Sequence, residues 1–137
     1  MLTFRASFVG LALVVAALDA GFWFFARGPH PMPARIGFLV AFVLLLALLA
    51  AAAGVVRWEV AAPLAAASTS GLLFVGATAI FSVGLGFLLA AVVEAALVRR
   101  LVQDALPAGS RGGTWVISAA AAVVPVVLFA VGLFALR

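Results

Sequence analysis

Long apolar stretches separated by short polar punctuation run the whole length of the chain. The longest, Gly71 to Val98, holds one acid, Glu94, before the basic pair Arg99-Arg100 closes it. A run of that length with so little charge predicts a transmembrane helix. Three further stretches follow the same pattern, so the predicted spans are 4–25, 36–56, 71–98 and 114–136. The expected fold is all-α: an integral membrane protein of four transmembrane helices in one compact bundle over residues 1–137, with no soluble domain.

The punctuation refines the boundaries. Span one opens beside Arg5, whose stem can snorkel to the headgroups, and closes on Phe22-Trp23-Phe24-Phe25. A leader cut after Ala20 would put Leu18 at −3 and Asp19 at −2, and the apolar run continues through Phe25, so the span is expected to stay attached. Pro29, Pro31 and Pro33 make the first connection extended and stiff, with Pro33 suited to start the next helix and His30 an ordinary loop histidine. Span two is roughly 31 Å long as a helix, enough to cross the hydrocarbon. Arg57-Trp58-Glu59 marks the opposite interface, Glu59 offsetting Arg57.

Pro63 and the polar run Ser68-Thr69-Ser70 predict a break over 60–70, with Ser70 as the N-cap of span three. Beyond Arg100, Leu101, Val102, Ala105 and Leu106 keep a helical spacing. Pro107-Ala-Gly109 then predicts a turn, and Gly109–Gly113 a flexible linker that lacks the ending of a phosphate loop. Pro125 lies mid-way along span four, where it should free the Ala121 carbonyl and kink the helix.

Composition hardens the membrane assignment: 69% of the 137 residues are hydrophobic and 9% charged, which excludes an ordinary soluble domain. The net charge of +4 comes from arginine alone and nowhere forms a patch dense enough for nucleic acid. The chain has no cysteine, no lysine and one histidine. Disulfides and thiol chemistry are excluded, as are a bis-histidine haem and a retinal Schiff base within this chain. No metal, no cofactor and no enzymatic activity are expected.

Charge bias sets an expected orientation. Arg27, Arg35, Arg99, Arg100 and Arg111 fall in loops one and three, against Arg5, Arg57 and Arg137 on the other side. Retention of arginine inside then places 27–35 and 99–112 in the cytoplasm of a cell membrane and both termini outside. Trp23, Trp58 and Trp115 are the interfacial anchors, with Trp23 and Trp115 at the same interface.

Two acids, Asp19 and Glu94, lie within the spans. Enclosed acids face a bundle interior or a water cavity. At similar depth on spans running the same way, they could form one polar site for a proton or cation. The alternative is structural pairing with Arg27, Arg35, Arg99 or Arg100. Thr78, Ser82, Gly86 and Ala90 recur every four residues as a helix-packing row. The hydroxyls of Ser7, Thr78, Ser82 and Ser118 are expected to bond their own helices. With so few reactive side chains, the leading expectation is an accessory or structural subunit of a larger membrane assembly. The alternative is a small oligomeric transporter or channel using Asp19 and Glu94. The expected partners are the lipid bilayer and either other membrane proteins or further copies of the chain, and no nucleic acid.

Overall fold

The helix richest in small side chains occupies the centre of the molecule. A computed structural model describes residues 2–29, 33–79 and 84–136. They form five helices: α1 (Leu2–Ala26), α2 (Ala34–Ala53), α3 (Trp58–Thr78), α4 (Gly84–Ala105) and α5 (Ala108–Ala135). Along α3, Ala61, Ala62, Ala65, Ser68, Gly71 and Gly76 are all buried, and their short side chains let neighbouring helices come close. A Cβ at Gly71 would stand 2.5 Å from Leu46 on α2. One at Gly84 would strike the backbone of Gly76 and Ala79, so the α3–α4 crossing needs glycine there.

Helices α1 to α4 pair in sequence and close back on one another, α1 against α4, into an antiparallel four-helix ring. Its core has two layers. Leu11, Val15, Val43, Leu46, Leu72, Val75 and Phe87 fill one. Phe8, Ala53, Ala61, Ala65, Leu101 and Val102 fill the other. Helix α5 lies outside the ring and parallel to α3, with Ser70 against Ala122 and Phe74 against Phe129. Phe38, Phe42, Phe74 and Phe129 form one aromatic cluster that joins α5 to α2 and α3.

Four helices, α1, α2, α3 and α5, are long and apolar enough to cross a membrane. Helix α4 carries Glu94, Arg99, Arg100 and Asp104 and falls outside that set. It nevertheless runs antiparallel along α3, from the Gly76–Leu88 contact past the Ser68–Glu94 hydrogen bond.

This arrangement corrects several expectations. The run Gly71–Val98 is not one span: it contains the end of α3 and most of α4, folded back on each other. Residues 60–70 are not a break but the first half of α3, with Ser70 inside the helix rather than at its cap. Pro63 is tolerated because it lies in the second turn and deprives only the Glu59 carbonyl, close to the helix end. Gly109–Gly113 is not a linker but the first turns of α5, which starts directly after Pro107. The Arg111 guanidinium donates to the carbonyls of Gln103 and Leu106, closing the C-terminal end of α4. Helix α5 stays continuous through a buried Pro125, beside which Ser70 donates to the Ala122 carbonyl at 2.6 Å.

The order of crossings also separates the two loops expected on one side. The α1–α2 connection lies at the end where Arg35 reaches the Leu136 carbonyl. The α4–α5 turn lies at the other end, where Arg5, Arg57, Trp58, Leu106 and Pro107 meet. Trp23 and Trp115 therefore stand toward opposite ends, while Trp58 shares the end of Trp115 and takes the Arg5 guanidinium 5.2 Å from its ring centre. Arg57 and Glu59 pair at 3.3 Å on the exposed surface, as expected.

Candidate functional site

Ser68, Thr69 and Ser70 follow one another mid-way along α3, and successive helical residues point about 100° apart. Each hydroxyl therefore takes a different direction. Ser70 faces α5 and donates to Ala122, Thr69 turns back to the Ala65 carbonyl at 2.8 Å, and Ser68 faces the interior of the four-helix ring. There the Ser68 Oγ stands 3.0 Å from the Leu46 carbonyl of α2 and 3.0 Å from Glu94 Oε2 of α4.

Glu94 reaches this position because α4 presents Phe87, Ala90, Ala91, Glu94 and Val98 on its buried face. The side chain is fully enclosed, at 0% exposure, and its Oε1 has no hydrogen-bond partner among the described residues. The Leu46 carbonyl can only accept, and the Ser68 hydroxyl has one proton to give. The Ser68 hydroxyl stands within donating distance of both oxygens, Leu46 O and Glu94 Oε2, and a protonated Glu94 can donate to it in turn. The three groups sit on three different helices, α2, α3 and α4.

Asp19 is also buried, at 3% exposure, with its Oδ1 unpartnered among the described residues. It belongs to a different level. A Cβ at Gly86 would meet Leu18 at 3.1 Å, which fixes Asp19 near the start of α4. From Gly86 to Glu94 the helix rises roughly 12 Å, so the two acids do not form one site. The expectation of a shared site assumed helices running the same way, and α1 and α4 run oppositely.

The expected arginine partners are elsewhere. Arg27, Arg35, Arg99 and Arg100 are all exposed, and among the described residues the Arg57–Glu59 bridge is the one ion pair found. The small-residue row is also dispersed: Thr78 is exposed near the end of α3, Gly86 packs on Leu18, Ala90 is in the ring core, and Ser82 lies outside the described residues. His30 lies outside them too. Ser7 and Thr78 bond their own helices as expected, but the buried Ser118 hydroxyl has no partner among the described residues. Ser68, the residue that completes the Glu94 site, falls in the stretch where the sequence predicts a break. A signal for it existed: it precedes Glu94 in an apolar region too long for one crossing. Among the described residues no group of three or more metal-ligating side chains comes together.

Comparison of the chain with protein-family models, with curated proteins and with solved structures finds no match.

Proposed function

We propose that this small polytopic membrane protein is an oligomeric proton-translocating transporter or channel in which Glu94 binds the moving proton. The observation that carries it is the enclosed carboxyl in the middle of the helix ring, with no cationic partner and with its hydrogen bond to Ser68. Ionisable side chains held in this way mark proton and ion pathways in membrane bundles. The accessory-subunit reading drew its support from the scarcity of reactive groups, and a carboxyl shared by three helices removes that ground. Asp19, near one end of the ring, is placed to serve as an entry or exit group rather than as a second half of the same site. Five helices enclose little water, so the aqueous part of the route lies between copies of the chain.

Orientation follows from arginine. Arg5, Arg57, Arg99, Arg100 and Arg111 belong to one end of the bundle, against Arg27 and Arg35 at the other. We place the arginine-rich end in the cytoplasm, together with the start of α1.

Purified protein in vesicles loaded with a pH-sensitive dye tests the function. An imposed pH gradient should collapse faster than in protein-free vesicles. Glu94→Gln should remove that excess, and Asp19→Asn should retain at least part of it. Equal rates with and without wild-type protein, or full activity in Glu94→Gln, would overturn the proposal.

A further inference from the structure

We infer that the groove between α3, α4 and α5 is a binding site for an anionic phospholipid of the surrounding bilayer. The groove encloses about 390 Å³ on the outer side of the ring, apart from the Glu94 cluster. Leu73, Ala95, Val98 and Ala122 line it, together with Arg99 and Trp115. The small alanines give it its width. The volume suits a stretch of acyl chain, and apolar side walls within a membrane helix bundle suit nothing more polar.

Charge selects the headgroup. Thr69 and Ser70 also line the groove, but both hydroxyls are already committed to helix carbonyls at Ala65 and Ala122. Arg99 is the remaining polar side chain of its lining, and among the described residues no acid lies within ion-pairing distance of it. Arg99 and Trp115 stand about equally far from the α4–α5 turn, seven and eight residues from Leu106 and Pro107 respectively. That is roughly 11–12 Å along each helix, within reach of the headgroup layer for a long cationic side chain. A guanidinium beside an interfacial indole, above an apolar slot, matches a phosphate diester with its tail laid along α4. A zwitterionic lipid would fill the same slot but bring its own cation against Arg99. The site lies at the arginine-rich end, where several more positive charges raise the local concentration of anionic lipid.

Trp115 supplies the probe. In a Trp23→Phe, Trp58→Phe background it is the sole tryptophan, and lipids brominated on the acyl chain quench indoles they touch. The protein is placed in vesicles of phosphatidylcholine in which either brominated phosphatidylglycerol or brominated phosphatidylcholine is a fixed fraction. The brominated anionic lipid should quench Trp115 with about a five-fold higher relative association constant, the effect expected of one well-placed arginine. Arg99→Gln should abolish the preference, and Arg100→Gln, which removes the same charge from the neighbouring position, should leave most of it. Equal quenching by both lipids in the unmodified site would overturn the inference. So would equal loss in the two arginine variants, or no quenching by either lipid, the result expected if a second copy of the chain fills the groove. None of these readouts depends on proton transport, so the two proposals fail separately.

Discussion

At the scale of single residues, the molecule is organised by what each polar side chain finds inside an apolar bundle. Ser68 links α2, α3 and α4 through two contacts of 3.0 Å. Hydrogen bonds between membrane helices contribute on the order of 1 kcal/mol, because the unfolded chain in lipid also finds partners. Ser68→Ala should therefore lower stability by about that much in a detergent unfolding series. Ser68→Ala and Glu94→Gln touch the same contact, so the double variant should cost measurably less than the sum. Asp19→Asn and Glu94→Gln lie roughly 12 Å apart in level and should add to within about 0.5 kcal/mol. Strong coupling between the two acids would restore the single shared site that the antiparallel packing of α1 and α4 rules out. Both acids were visible in the sequence as enclosed charges. Their separation was not, because it depends on how many times the chain turns between them.

At the scale of elements, three helices of five were plain from hydrophobic pattern alone, α1 and α2 within a few residues and α5 with its start placed late. The other two were read across their boundary. Pro63 and Ser68-Thr69-Ser70 are loop signals in a water-soluble chain, where they compete for backbone bonds. Inside the bundle those hydroxyls bond carbonyls of α2, α3 and α5 instead, and the helix continues. Between Thr78, where α3 ends, and Gly84, where α4 begins, the sequence has no proline and no charge, so nothing local marks the boundary. Length does: as one helix, Trp58 to Val98 would measure roughly 60 Å, twice the hydrocarbon thickness. The α3–α4 crossing now carries a prediction. Gly84→Ala should destabilise the protein by about 1–3 kcal/mol, since its Cβ meets backbone that cannot yield. Gly86→Ala meets only the tip of Leu18 and should cost less, and Gly113→Ala, with open space around it, should be neutral. Equal melting temperatures for the Gly84 and Gly113 variants would mean that α3 and α4 do not cross there.

At the scale of the whole molecule, an antiparallel ring of four helices with α5 outside is what holds Glu94 enclosed mid-way along α4. The same geometry sets the α1–α2 connection and the α4–α5 turn at opposite ends of the bundle. Charge bias, applied to four spans, put both on one face. The chain contains no cysteine, so single cysteines report without background. Gly28 and Gly109 suit the purpose, as both are exposed with open space where a side chain would go. In intact cells an impermeant thiol reagent should label Gly28→Cys and leave Gly109→Cys untouched until the membrane is opened. Labelling of both in intact cells, or of neither, would put the two connections on one side and contradict the proposal that α4 returns across the membrane with Glu94 inside it.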